Sequence, residues 1–303
     1  MKRVVSVSLG SSTRDKRVEI EILGEPFVVE RIGTDGDMAR FKALVEELDG
    51  RVDAIGMGGI DLYLRAGDRR YQIRDAARLI AGVHRTPVVD GGGIKTSWEK
   101  YLILDYLPTQ AGVSFAGRRV LLVSSVDRYG MAEAFTQAGA EMLFGDFYFA
   151  LGIPVPMRHL GTVRLLAACM LPLVTKLPFQ MLYPTGAKQE RTTPKYPHLF
   201  RWAEVVAGDF HFIRRYMPDD LAGKTIFTQT ITPEDRAALE RRGASVLITA
   251  APDIEGRSFA TNVLEGIVVA LSGRRSEDLT PDEFVQWMLR AGFRPRVERL
   301  AAA

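Results

Sequence analysis

One cysteine, Cys169, is all that the 303 residues contain, which excludes an intrachain disulfide and any cysteine-based zinc site. Histidine is almost as scarce. His84, His159, His198 and His211 are scattered with no H-x3-H spacing, so a dedicated histidine metal site is not expected. No block of Lys or Arg occurs and the formal net charge is only +3, so nucleic acid is not expected as a partner. Long apolar runs are missing too. The longest, LLAACMLPLV, lies between Arg164 and Lys176, is broken by Pro172 and is too short to span a bilayer. A buried helix is expected there, with an interfacial helix as the alternative. The N-terminus lacks a signal-peptide pattern and starts directly on a strand pattern, so a cytoplasmic protein without a transmembrane segment is expected.

What remains is an ordinary core-forming composition, 47% hydrophobic and 25% charged. The length suggests two domains, at about 150 residues each. Strand patterns alternate with helix patterns along most of the chain, which predicts an α/β layer structure. Residues 1–110 read as an N-terminal α/β domain of the substrate-binding type. Residues 117–275 read as a Rossmann-like, doubly wound parallel sheet carrying an irregular insert at 147–200. Residues 276–303 complete the chain as a C-terminal helix and tail. That helix follows Thr280-Pro281-Asp282-Glu283, a capping-box spacing, and is a candidate to fold back onto the first domain.

The stretch 118–146 orders the second domain. It reads as a strand at 120–123, a polar turn, a helix at 131–138, Gly139, and a second strand ending in Gly145-Asp146. Set against the dinucleotide fingerprint G-x-G-x-x-G, the turn supplies Ser125, Asp127 and Gly130, one glycine of three. Asp146 follows where a ribose-binding carboxylate would sit. Asp127 either brings a carboxylate towards two phosphate charges or turns away to cap the helix. Ligands of open α/β sheets lie at the carboxyl ends of the strands. Ser124, Ser125, Asp127, Gly130, Asp146, Asp209, Thr228 and Thr249 are therefore the candidate cofactor-binding residues, with NAD or NADP as the cofactor. The triplet Gly145-Asp146-Phe147 returns as Gly208-Asp209-Phe210. A shared turn geometry explains the echo, or else both aspartates project into one crevice.

In the first domain the sharpest candidate is Asp90-Gly91-Gly92-Gly93-Ile94-Lys95. Three glycines between a strand and a helix can cradle an anion. Lys95 adds a positive charge, and with a carboxylate beside it can move a proton. Asp90 and Asp61, the latter after Gly58-Gly59-Ile60, are the candidate partners. The insert carries Lys176-Leu177-Pro178-Phe179, Leu182-Tyr183-Pro184-Thr185-Gly186-Ala187-Lys188-Gln189 and Thr193-Pro194-Lys195-Tyr196. With Arg214-Arg215-Tyr216 these suit a lid over a small anionic substrate, or a homodimer contact.

The segments VDAIGMGGIDLYL, LFGDFYFALGIP, LYPTGAKQ and AGDFHFIRRYMPDDL resemble a group of bacterial proteins labelled quinate 5-dehydrogenase, over nearly the whole chain. The resemblance implies relatives of the shikimate and quinate dehydrogenases. In those a substrate domain precedes an NAD(P)-binding Rossmann domain, and a Lys–Asp pair moves the proton while the nicotinamide takes the hydride. Lys95 matches that lysine by its place in the first domain. The paired serines, the N-V-T-x-P-x-K segment and the glycine-rich cofactor turn of those enzymes are not present. Two functions follow: an NAD(P)-dependent oxidoreductase acting on a small hydroxylated carboxylic acid, or a non-redox Rossmann-like protein binding an anionic metabolite or nucleotide in an interdomain cleft, as a sensor would.

Overall fold

Apolar β-branched runs form the strands of two parallel-dominated sheets in the computed structural model, which describes residues 1–67, 69–178, 192–254 and 257–300. The first part of the chain gives β1 (Lys2–Ser8), β2 (Lys16–Ile22), β3 (Glu25–Gly33), β4 (Ala54–Gly58), β5 (Tyr63–Ala66), β6 (Arg69–Gln72) and β7 (Val88–Val89). The second gives β8 (Arg119–Leu122), β9 (Glu141–Phe144), β10 (Val205–Ala207), β11 (Thr225–Thr228), β12 (Val246–Thr249), β13 (Asp253–Ile254), β14 (Arg257–Ser258) and β15 (Arg296–Arg299).

The chain divides into two compact units. Unit 1 holds Met1–Trp98, Cys169–Gln189 and Ala260–Phe293; unit 2 holds Glu99–Ala168, Glu190–Phe259 and Arg294–Ala303. The segment from Ala260, read from the sequence as part of the second domain, thus groups with the first sheet. So does the helix Pro281–Arg290 with its Thr280–Glu283 capping box.

Unit 1 carries the sheet β2-β3-β1-β4-β7, with β2 antiparallel and the rest parallel. β1 is almost fully buried, as expected of a central parallel strand covered on both faces. β2 alternates exposed and buried residues and closes the edge. Its turn to β3 places Leu23 and Gly24 at φ 54° and 76°, the left-handed pair of a two-residue hairpin. The helix Met38–Leu48, capped by Asp37 on the Arg40 N–H, buries Phe41, Val45 and Leu48 into the core. On the sheet lies the helix Thr261–Ser272, which crosses β1 and β4. It lies close because two glycines remove the side chains that would hold it off. A Cβ on Gly266 would stand 2.7 Å from Val4, and one on Gly56 would stand 2.8 Å from Asn262 Nδ2. Asn262 Nδ2 in turn donates to Ser6 Oγ at 2.7 Å.

Unit 2 carries the sheet β15-β12-β11-β10-β8-β9, parallel except for β15. Its parallel strands, numbered within the unit, follow the order 2-1-3-4-5, the flavodoxin-like doubly wound arrangement. The switch point therefore falls between β8 and β10. Phe115, Phe135 and Phe227 pack edge to face, with centroids 4.9 Å and 5.6 Å apart for the closer pairs.

Two features differ from the sequence expectation. The C-terminal tail contains β15, which pairs antiparallel with β12. The apolar helix Leu160–Val174 is not buried all round: Leu165 and Leu173 are 67% and 69% exposed, and only the stripe Val163, Ala167, Leu171 is covered. Among the described residues no helix is long and apolar enough to cross a membrane.

The close crossing at Gly266 predicts that Gly266→Leu destabilises the protein by about 1–3 kcal/mol in urea unfolding, since overpacking outweighs the better helix propensity. Gly161→Leu, at a helical site with nothing within 4 Å of the new Cβ, leaves stability unchanged or raises it. Equal effects of the two substitutions would show that the crossing is not tight.

Candidate functional site

In unit 1 the ends of the neighbouring strands β4 and β7 bring the candidate residues together. β4 runs out through Gly58 and Gly59 to Asp61; β7 runs out through Asp90 into the short helix Gly92–Thr96, which carries Lys95. Lys95 Nζ stands 2.7 Å from Asp61 Oδ1, and the two side chains are 14% and 15% exposed. Asp90 does something else. Its Oδ2 accepts the Leu62 and Tyr63 N–H groups at 2.8 Å and 3.0 Å, and its Oδ1 accepts the Gly92 N–H at 2.8 Å. It is a turn-holding carboxylate, and Asp61 is the partner of Lys95.

The glycine run has a packing reason. Gly91 has φ 90° and lies against Thr261; a side chain on Gly93 would meet Glu265 at 2.8 Å and the Phe284 ring. Glu265 is a residue that sequence reasoning missed, because it sits mid-helix in an apolar run with nothing local to mark it. It is 2% exposed, and its Oε1 accepts the Gly93 N–H at 3.2 Å and the Ser276 hydroxyl. Burial and the nearby Asp90 charge push its carboxyl up to about 7.

In unit 2 the turn after β8 is built differently from a nucleotide loop. Asp146 follows β9 through Gly145, and its carboxyl group reaches back to this turn. Oδ1 accepts the N–H groups of Ser125 and Val126, both at 3.1 Å, and Oδ2 accepts the Ser125 N–H at 3.0 Å and the Ser125 hydroxyl. Burial raises the Asp146 carboxyl above its ordinary range, and the Ser125 and Val126 bonds offset this in part. Gly130 is buried in the first turn of the helix Tyr129–Gln137, and Ser124 is partly exposed. Asp127 lies 3.2 Å from Arg128 Nε.

Arg128 was also missed. It is 4% exposed and pairs with Glu99 at 3.0 Å and Asp209 at 2.7 Å. A cation at a helix N-terminus opposes the helix dipole, so it needs such carboxylates around it. Asp209 caps the helix Phe210–Tyr216 through the His211 N–H. Burial works against its charged form, yet Arg128 and His211 hold it at about 2. Asp146 and Asp209 therefore flank the same turn from β9 and β10. Their turns differ, with φ −83° at Gly145 and 136° at Gly208, so the repeated Gly-Asp-Phe is not one turn geometry used twice. Thr228 and Thr249 are 0% and 2% exposed at the ends of β11 and β12.

Of the insert, 179–191 lies outside the described residues, and with it the Leu182 to Gln189 motif. Thr193 and Lys195 donate backbone N–H groups to the Arg215 and Tyr216 carbonyls at 2.7 Å and 3.3 Å. Tyr196 packs edge to face on Tyr148 at 5.0 Å.

The Glu265 environment sets a pH dependence. The unfolded chain releases this proton near 4.5 and the folded chain at about 7. The unfolded state thus binds fewer protons between these values, and stability falls as pH rises through that window. The groups facing Glu265 are Asp90, Arg65 and Ser276. Glu265→Gln removes the titration, so its melting temperature relative to the parent is expected to be higher at pH 8 than at pH 5. The same difference at both would remove Glu265 from the account.

Residues 93–300 match a domain of unknown function, DUF8754, and residues 3–90 match a second, DUF8753. No curated protein matches the chain. Among solved structures it is similar to a solute-binding protein of an ABC transporter from Burkholderia multivorans, at 13% identity over 99% of both chains with a TM-score of 0.36. It is also similar to shikimate 5-dehydrogenase from Thermus thermophilus, at 13% identity over 96% of this chain and 99% of that one, TM-score 0.36. Malic enzyme from Entamoeba histolytica gives 12% identity over 96% and 69%, TM-score 0.37. At these scores the likenesses carry no argument about function. The DUF8754 match spans more than half of the sequence, and the chain belongs to that family.

Proposed function

We propose that this protein binds a small hydroxylated carboxylic acid in unit 1 through the Lys95–Asp61 pair, and that it does so as a non-redox, metabolite-binding protein. The observation that carries this reading is the Asp146 carboxyl on the turn after β8. A dinucleotide places its pyrophosphate on open N–H groups of that turn. Here the Ser125 and Val126 N–H groups are bonded to a carboxylate of the protein itself. Asp127, Glu99 and Asp209 add negative charge within reach of Arg128. The residues present do not fit a pyrophosphate, so no hydride step is routed through NAD or NADP.

In unit 1 the chemistry suits an acid that also bears hydroxyls. Lys95 offers a cation whose position Asp61 fixes at 2.7 Å, and a carboxylate–ammonium pair can bond both groups of such a ligand. The same pair favours the second reading, a dehydrogenase of the quinate and shikimate type. There Asp61 would hold Lys95 in place so that, as the neutral amine, it takes the proton of the ligand hydroxyl.

Calorimetry with quinate, shikimate, NAD⁺ and NADP⁺ separates the two. The acids are expected to bind, the dinucleotides to be silent at millimolar concentration, and Lys95→Met to weaken the acids about tenfold, the worth of one charge-assisted bond of about 1.4 kcal/mol. Dinucleotide binding with reduction of the nicotinamide in the presence of either acid would replace this reading with the second. Silence towards both acids would sink both.

A further inference from the structure

Arg65 lies on β5, the strand that follows Asp61, and its guanidinium faces the glycine turn. Nε and Nη2 stand 3.7 Å and 3.8 Å from where a side chain on Gly92 would begin. Gly92 has none, and the nearest atom to that position is Asp90 Oδ1 at 2.9 Å. The group is partly buried, yet among the described residues it makes no hydrogen bond and no ion pair. Burial and then Arg70 lower its pKa, while Asp90 and Glu265 act on it from a distance in the opposite sense. Neither of these carboxylates is bonded to it: Asp90 is spent on the N–H groups of Leu62, Tyr63 and Gly92, and Glu265 Oε1 on Gly93 and Ser276. Five N–H donors in a fixed fork, partly removed from water and not bonded to protein, form a site in want of an acceptor.

The hairpin strengthens this. Arg65 pairs directly with Arg70 across β5 and β6, and like charges directly opposite destabilise a two-stranded sheet. Side chains alternate between faces along a strand, so Tyr63, Arg65, Arg70 and Gln72 share one face. Arg70 lies over the Tyr63 ring at 5.6 Å. Two cations are held side by side against a cost that an anion between them removes. Lys95 stands three residues beyond Gly92 on the same short helix.

We infer that Arg65, with Arg70 as the second cation, forms the carboxylate-binding site of unit 1, where the acid's carboxylate takes the guanidinium fork while its hydroxyls face Lys95 and Asp61. This rests on the reading given under the proposed function. A planar guanidinium matches a carboxylate with two parallel bonds, which a lysine in its place cannot make.

Two measurements on Arg65→Gln and Arg65→Lys, with Arg69→Gln on the opposite face of the hairpin as control, test the site apart from the ligand. In calorimetry with quinate, Arg65→Gln is expected to bind at least about tenfold more weakly, Arg65→Lys in between and Arg69→Gln as the parent. In thermal melts, inorganic phosphate is expected to raise the melting temperature of the parent over chloride at equal ionic strength, and not that of Arg65→Gln. A parent that ignores quinate overturns the hydroxy-acid reading, and the phosphate melts then judge the site alone. Phosphate stabilisation that is absent from the parent, or equal in Arg65→Gln, overturns the site, as does unchanged quinate affinity in Arg65→Gln.

Discussion

The bonds from Ser125 and Val126 to Asp146 tie the end of β8 to the end of β9, and most of what distinguishes unit 2 follows from them. A turn leaving a central parallel strand has N–H groups that point away from the sheet and need acceptors. A nucleotide-binding protein leaves them for a phosphate. This chain closes them with its own carboxyl group, buried and raised in pKa by that burial. The closure also fixes the next residues: with 125 and 126 held, Arg128 sits beneath the turn, where Glu99, Asp127 and Asp209 surround it. The switch point of this sheet is thus filled by internal ion pairs. A buried pair broken on one side costs several kcal/mol, so these pairs hold the turn in place.

Unit 1 uses the same strand order to a different end. Counted within the unit, its parallel strands β3-β1-β4-β7 also run second, first, third, fourth. The end of β1 and the end of β4 meet backbone to backbone, with the Leu9 N–H on the Gly58 carbonyl at 2.9 Å and Gly59 against Gly10. Ser8 packs into that contact, its Cβ 2.7 Å from where a side chain on Gly58 would begin. The charged groups lie one strand along, after the ends of β4 and β7, where Lys95 pairs with Asp61 and Arg65 lies beside Gly92. The glycines serve packing first, letting the helix Thr261–Ser272 and Phe284 close over the turn, and only Gly92 is left beside an unbonded cation.

Much of this was legible in the chain. The Thr280–Glu283 capping box follows from a local pattern, because caps depend on residues a few positions apart. The pairing of Lys95 with Asp61 was within reach, since both follow glycine-rich strand ends. β15 was not. Its Arg-Val-Glu-Arg sequence has one apolar residue, and it is a strand only because β12 offers an open edge. Nor was the place of Ala260–Phe293 in unit 1: the fit of Gly266 on Val4 and of Asn262 on Ser6 joins residues more than 250 apart in sequence. The apolar helix Leu160–Val174 misled because composition counts apolar residues without saying how many faces are covered.

The aspartates of the candidate sites show why a strand-end carboxylate is hard to read from sequence. Asp61, Asp90, Asp146 and Asp209 lie beside glycines at strand ends and look alike in the chain. What separates them is which donors lie within about 3 Å, and this depends on the neighbouring strand. Asp90 and Asp146 find backbone N–H groups and become part of the turn. Asp209 finds one N–H and a guanidinium, and caps a helix while it holds Arg128. Asp61 accepts a bond from the Lys95 ammonium. A carboxylate spent on backbone donors cannot be released to bind or transfer a proton without breaking the local fold. One that faces a flexible ammonium can, because the lysine is able to exchange it for a ligand oxygen. That physical difference is the ground on which Asp61 and Lys95 are proposed as the binding pair.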